Sequence, residues 1–251
     1  MATIVPIIVN GRPFEAQEET SLLKALLKEG FDVPHLCYHE TVSAYGSCRL
    51  CLVEVERGGW KRMATSCNYP VRAGLKVLLD TEEVVRERKN VFEVLLAQAP
   101  GSARLRDYAS RYGVQGTGLK VQEGSCILCG LCERVCNEVI GSHAIGFSGR
   151  GARKELSTPY AEQNPGCIGC GSCARVCPTD CIVIVDRGLE RELPFIHARH
   201  DLVPCTGCGA ATVTGAHARW LAARTGIPEQ DHYLCDRCKA KRTAASSDRI
   251  T

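Results

Sequence analysis

The sequence predicts an α+β chain assembled from small cysteine-rich modules in place of one large core, and three observations carry that reading. The chain has 17 cysteines among 251 residues, grouped at spacings suited to metal or cluster ligation. Its opening residues follow a ββα pattern of apolar alternation and then helical periodicity. Its charge is balanced, with 31 Lys+Arg against 28 Asp+Glu and a net charge of +3. Both signs are interspersed and no basic stripe is interleaved with aromatics, so no nucleic-acid partner is expected. No apolar run approaches the roughly 20 residues of a membrane span, and residues 1–13 read as strand and turn and not as a secretory leader. A cytoplasmic protein with no direct membrane span is therefore expected, and in that reducing compartment dense cysteine argues for metal ligation over disulfides.

The first module covers residues 1–80. Residues 4–9 are rich in β-formers, and Asn10-Gly11 is a strong two-residue hairpin signal, returning the chain as a second strand from Arg12 to Glu15. Thr20 or Ser21 caps a helix through Glu29, with Leu22, Leu23, Leu26 and Leu27 on one face and Gly30 as its stop. Further strands are expected at Leu52–Glu56 and Leu75–Leu79, completing a β-grasp-like unit. Set into it are Cys37, Cys48, Cys51 and Cys67 in a C-x10-C-x2-C-x15-C pattern.

Residues 81–120 read as a helical linker. Thr81 caps one helix with Val84, Val85, Phe92, Leu95 and Leu96 on its apolar face, Pro100-Gly101 ends it, and a second helix runs from Ala103 to Tyr112.

Residues 121–186 carry the same spacing twice. Cys126, Cys129, Cys132 and Cys136, then Cys167, Cys170, Cys173 and Cys177 before Pro178, both read C-x2-C-x2-C-x3-C, the bacterial pattern for 4Fe-4S clusters. Three closely spaced thiolates wrap three corners of a cubane, and the fourth ligand comes from elsewhere. In two-cluster ferredoxins the fourth cysteine of each run crosses over, which assigns Cys177 to Cys126, Cys129 and Cys132, and Cys136 to Cys167, Cys170 and Cys173. Zinc knuckles or disulfides are the weaker alternative, because zinc sites pair two CxxC units and do not use a triple run. Gly146 to Gly151 is glycine-rich but lacks a third phosphate-binding glycine and a strand–loop–helix setting, so no dinucleotide site is expected there. Cys181, ahead of the apolar Ile182–Val185, is expected to be a small buried hydrophobe at a strand start.

Residues 187–251 form the last module. Asp186 to Asp201 reads as a charged linker, with His197 and His200 on the surface. Beyond it, Cys205 and Cys208 pair with Cys235 and Cys238 as two CxxC knuckles around a short helix over Ala216–Thr225. A structural zinc is the leading reading and a third 4Fe-4S cluster its rival. The tail from Lys239 to Thr251 is expected to fray.

The stretch Val33-Pro34-His35-Leu36-Cys37-Tyr38-His39, with Gly46-Ser47-Cys48-Arg49-Leu50-Cys51-Leu52-Val53-Glu54-Val55, resembles the N-terminal region of the large iron-sulfur subunit of respiratory complex I. It is similar also to the diaphorase iron-sulfur subunit of NAD-reducing nickel-iron hydrogenase and to NAD-dependent formate dehydrogenase. The resemblance covers residues 1 to about 185 and implies a 2Fe-2S cluster on Cys37, Cys48, Cys51 and Cys67. His35 and His39 could replace thiolates as in Rieske centres, but four cysteines already complete the set, so the two histidines are expected to support the ligands or pack beside them. Most relatives hold a further cluster on one histidine and three cysteines in the linker region. Here neither residue type occurs between Cys67 and Cys126, although Asp107 to Gly113 still resembles the end of that module.

The fold class expected is therefore a β-grasp 2Fe-2S ferredoxin domain, a helical linker, a bacterial-type two-cluster ferredoxin domain and a small zinc-ribbon-like module. One 2Fe-2S and two 4Fe-4S clusters with no catalytic residue make an electron wire. What the resemblance implies is a hetero-oligomer with a flavin subunit that oxidises NAD(P)H and a second subunit of hydrogenase or formate dehydrogenase type. A free-standing ferredoxin-like carrier is the alternative, and a redox-sensing regulatory protein a weaker one.

Overall fold

Two strands meeting at Asn10-Gly11 open the first of two structural units in the computed structural model, which describes residues 3–158, 160 and 162–247. This unit comprises the chain up to Val139 together with Val176–Cys181; the second comprises Ile140–Arg175 and the chain from Ile182. Strands β1 (Ile4–Val9) and β2 (Arg12–Gln17) pair antiparallel with Val9 opposite Arg12. Asn10 and Gly11 both have positive φ, 46° and 78°, as a two-residue turn matched to strand twist requires. Helix α1 (Leu22–Lys28) is capped by Ser21, whose side chain accepts from the Lys24 N–H, and buries Leu22, Leu23 and Leu26. Strands β3 (Leu52–Arg57), β4 (Trp60–Thr65) and β5 (Lys76–Leu78) complete a sheet of order β2-β1-β5-β3-β4. β5 runs parallel to β1 and antiparallel to β3, the mixed arrangement expected of a β-grasp unit. Alternate residues Val5, Ile7 and Val9 meet Val53, Val55, Val77 and the α1 leucines in one core. Each such fully buried side chain contributes about 1.5–3 kcal/mol. Strand β4 lies outside the strands expected from the sequence. It is an edge strand whose Trp60 is 82% exposed, so it lacks apolar alternation; its signal was Gly58-Gly59, both at positive φ, between two β-prone runs.

Helix α2 (Glu82–Gln98) starts at Thr81, whose Oγ1 accepts from the Val84 N–H at 3.3 Å, and α3 (Ala103–Arg111) starts at Ser102. Phe92, Leu95, Leu96, Leu105 and Ala109 share a second core with Cys37, Cys48, Leu50, Ile127, Cys129 and Val135. Within it Phe92 packs on Tyr108 and Tyr112 at centroid distances of 5.7 and 5.3 Å. Val85, expected on this face, is exposed, because it lies about 100° round the helix from Val84. A short helix α4 (Leu131–Arg134) runs into a wide π-type turn over Val135–Ile140.

In the second unit β6 (Gly146–Ser148) and β7 (Glu155–Ser157) form a hairpin, which is what the glycine-rich stretch builds. After α5 (Ser172–Arg175), strands β8 (Val185–Arg187), β9 (Glu190–Leu193), β10 (Ala198–Pro204) and β11 (Ala211–Thr214) form a sheet of order β11-β10-β9-β8. The expected charged linker is thus three strands. Its charges pair within the sheet, Arg191 with Asp186 and Arg187 and Arg199 with Glu192. Helix α6 (Gly215–Thr225) is capped by Thr214 and stopped by Gly226. Helix α7 (Asp236–Ser247) replaces most of the expected frayed tail; residues 248–251 lie outside the described residues. Among the described residues no helix is long and apolar enough to cross a membrane.

Candidate cluster and metal centres

Cys37 follows α1, Cys48 and Cys51 lead into β3, and Cys67 lies in the turn Ser66–Asn68 after β4. Two connections thus carry the four thiols, three of them between α1 and β3 and the fourth after β4, and all four are at most 3% exposed. Gly46, at φ +69°, lets this loop pass the residue after Cys67, since a Cβ there would lie 3.0 Å from the Asn68 side chain. The Cys48 N–H donates to Cys37 Sγ at 3.5 Å. Hydrogen bonds from the thiols of Cys48 and Cys67 hold Cys37 down at about 2, and one from Cys67 lowers Cys51 to about 7. The donating thiols of Cys48 and Cys67 are pushed up correspondingly. Four buried thiols whose principal partners are one another form a donor set that fits a cluster with four thiolate corners. His35 and His39 stand aside: His35 Nδ1 pairs with the Val33 carbonyl at 2.8 Å and His39 Nδ1 with Thr41 Oγ1 at 2.9 Å.

Cys126, Cys129, Cys132 and Cys177 all belong to the first unit. Burial pushes the Cys129 thiol up to about 11. Cys181 is placed differently from the expectation. It lies ahead of β8 with no strand of its own, its Sγ is 3.5 Å from Cys177 Sγ, and its thiol hydrogen-bonds to Cys126, lowering that group. The first unit therefore presents a further thiol beside Cys126 and Cys177. Its signal was a position four residues past Cys177 across a tight turn, in which Asp180 has φ 53°. The start of α3 holds that turn. Ser102 Oγ donates to the Thr179 carbonyl at 3.0 Å, and Arg104 Nη1 donates to the Cys177 carbonyl at 3.4 Å and to Asp180 at 2.8 Å.

In the second unit, Cys167 and Cys170 lie on the loop into α5 and Cys173 is buried on α5 itself. Arg191 Nη1 donates to the Gly169 carbonyl at 3.0 Å, its other nitrogens grip Asp186 at 2.8 Å each, and Thr214 Oγ1 donates to the Ile168 carbonyl. Gly169 has φ +64°, and a Cβ there would meet Thr214 at 2.8 Å and the His200 ring at 2.9 Å. His200 is thus packed against the loop and not free on the surface; burial lowers its pKa, and its Nε2 is enclosed without a hydrogen-bond partner. Cys136 falls in the other unit.

Cys205, Cys208, Cys235 and Cys238 bring their sulfurs within 4.8 Å of one another, with 3.6 Å between Cys208 and Cys235. Four thiolates around one zinc at about 2.3 Å stand roughly 3.8 Å apart, so this spacing fits a single tetrahedral ion. The N–H groups of Cys235 and Gly207 donate to Cys205 Sγ at 3.2 and 3.4 Å, and these backbone bonds, that from Cys235 foremost, lower Cys205 to about 6.

Residues 2–82 match a 2Fe-2S iron-sulfur cluster binding domain, and residues 166–214 match a 4Fe-4S dicluster domain. The second match includes the run from Cys167 to Cys177 as well as Cys205 and Cys208, and leaves Cys126 to Cys136 outside. An NADH-quinone oxidoreductase subunit from Rickettsia prowazekii is 31% identical over 185 residues, covering 64% of this chain and 27% of that protein. The mitochondrial NADH-ubiquinone oxidoreductase 78 kDa subunit of Candida albicans is 30% identical over 187 residues, covering 64% of this chain and 26% of that protein. The chain spans roughly a quarter of the length of these curated relatives. Among solved structures, a NAD+-reducing NiFe hydrogenase in its H2-reduced state matches with a TM-score of 0.55 and 28% identity, covering 61% of this chain and 74% of that one.

Proposed function

We propose that this chain, an iron-sulfur protein related to subunits of NADH-quinone oxidoreductase and to NAD+-reducing NiFe hydrogenase, is the electron-relay subunit of an NAD(P)-linked oxidoreductase complex. One observation carries the reading: ligand cysteines of two sets, Cys37 and Cys48 of one and Cys129 of the other, are walls of the same buried core. Thiolates held in one apolar core keep their redox centres close and away from water, which is what an internal relay needs.

The residues have distinct tasks. Cys37, Cys48, Cys51 and Cys67 hold the 2Fe-2S centre. Cys126, Cys129, Cys132 and Cys177 hold one 4Fe-4S centre, and Cys167, Cys170 and Cys173 with Cys136 hold the second. These groups, when bound, supply one-electron redox chemistry. The chain's own residues fix the ligand loops through Ser102 and Arg104 on one side and Arg191 and Thr214 on the other. Cys205, Cys208, Cys235 and Cys238 hold a structural zinc. The modular boundaries near residues 80, 120 and 186 follow from these assignments.

The partners that fit are a flavin subunit oxidising NAD(P)H, to which the hydride chemistry belongs, and a second redox subunit of hydrogenase or formate dehydrogenase type, all in the cytoplasm. Two curated relatives are named as subunits, which favours a place in a complex over a free-standing carrier. The test is anaerobic purification of the tagged chain from its own cells. A flavoprotein that co-purifies and reduces the chain's EPR signals on addition of NADH or NADPH supports the proposal. A monodisperse monomer that neither nucleotide reduces in the presence of the cell extract contradicts it.

A further inference from the structure

Arg134 is 5% exposed and lies on α4 between Cys132 and Cys136. Its Nη2 donates to the carbonyl of Cys37 at 2.8 Å and to that of Cys129 at 3.3 Å, and its Nη1 donates to the carbonyl of Ser43. One guanidinium therefore touches a ligand residue of each of two thiolate sets. Its other surroundings are uncharged or already engaged: the cation stacks over Tyr45 at 5.4 Å. The Glu138 carboxylate, which feels the cation, is bonded to the Ser43 N–H and hydroxyl at 2.6 Å each. Arg134 Nε is enclosed without a hydrogen-bond partner.

A buried guanidinium whose hydrogen bonds go only to carbonyls is costly in a protein interior unless opposite charge stands near it, and the Glu138 carboxylate that feels it is exposed and held by Ser43. Both neighbouring sets consist of four cysteines, and iron-sulfur centres on four thiolates are net anions that gain negative charge on reduction. Their potentials follow local charge and hydrogen bonding. We propose that Arg134 is a shared positioning residue and counter-charge for the 2Fe-2S and first 4Fe-4S centres: it fixes the two ligand loops against one another and raises both reduction potentials together. Because arginine does not titrate, this effect is constant with pH. The inference rests on the cluster assignments proposed above, and the test separates the two.

The experiment is an EPR-monitored redox titration of the anaerobically purified full chain and its Arg134 variants, at pH 6 and pH 9, with iron counted in each. Arg134→Lys keeps the charge and should keep both potentials near those of the unmodified chain. Arg134→Gln keeps donor groups but no charge. With its iron retained, it should shift both reduction equilibria about tenfold toward the oxidised form, about 59 mV for a one-electron couple, equally at the two pH values. Arg134→Met should do the same and serves as the second uncharged variant if the glutamine form does not load. Potentials unmoved in an iron-replete uncharged variant, or a lysine variant shifted as far as the glutamine one, overturn the inference. Absence of these signals from the unmodified chain overturns the cluster assignments and the inference with them, a result distinct from signals that are present and do not move.

Discussion

The sulfurs of Cys177 and Cys181 lie 3.5 Å apart, so the turn Pro178-Thr179-Asp180 places a thiol outside the motif against a ligand of the motif. The C-x2-C-x2-C-x3-C spacing already completes a four-thiolate set without Cys181. Cys181→Ala is therefore expected to keep the full iron content, whereas Cys129→Ala, which removes a ligand, should lose about four irons per chain. Iron and sulfide analysis of the two variants checks this.

Ser102 has two duties with one hydroxyl. It accepts from the Leu105 N–H at 3.1 Å as the cap of α3 and donates to the Thr179 carbonyl at 3.0 Å, and it is 2% exposed. Ser102→Ala removes a cap and leaves buried groups unpaired, at a cost of about 1–2 kcal/mol. The expected readout is a lower denaturation midpoint together with faster bleaching of cluster absorbance, because the Cys177 turn loses its tie.

Asp186 is held below the ordinary carboxylate range by its hydrogen bonds to Arg191. A depressed carboxylate stabilises the folded state above its unfolded pKa of about 3.9 and loses that contribution as the pH falls through the folded value. Its side chain is 41% exposed, so solvent screening limits the pair to less than about 1 kcal/mol. The difference in thermal midpoint between the unmodified chain and Asp186→Asn is expected to be small, flat between pH 5 and 8, and closed only under more acid conditions. A gap that opens or closes between pH 6 and 8 contradicts this account.

The C-terminal knuckles should hold zinc independently of the iron centres. Cys208→Ser is expected to release the zinc and leave the iron count unchanged. Because Cys205 is lowered to about 6 by the backbone N–H groups on its sulfur, its thiolate persists through neutral pH. Zinc retention should hold from pH 8 down to about 6 and weaken below it as protons compete for the sulfurs. Metal analysis after dialysis across that range measures it.

What could be read from the sequence was what short-range chemistry dictates. Cluster loops need thiolates at fixed short spacing, and Ser21 and Thr81 each stand where a helix must be capped. Asn10-Gly11 likewise fits one turn type. Long-range pairing was harder to see. Residues 186–201 look like a solvated linker because their charges are dense, and only the sheet shows that Arg191, Arg187 and Arg199 answer Asp186 and Glu192 across strands. Strand β4 sits at an edge and carries no apolar alternation to reveal it. Arg134 is one of 31 basic residues, and nothing local distinguishes it; its place between Cys37 and Cys129 arises from packing residues far apart in the chain.

The central claim is that this chain is a relay of three iron-sulfur centres with a separate zinc. Metal and acid-labile sulfide analysis of anaerobically purified protein, followed by EPR at stepwise reduction, tests it most directly. The account predicts about ten irons and one zinc per chain, with signals from one 2Fe-2S and two 4Fe-4S centres. About fourteen irons with no zinc would contradict the zinc assignment and make the C-terminal knuckles a fourth centre, and a chain holding only two irons would contradict the relay itself.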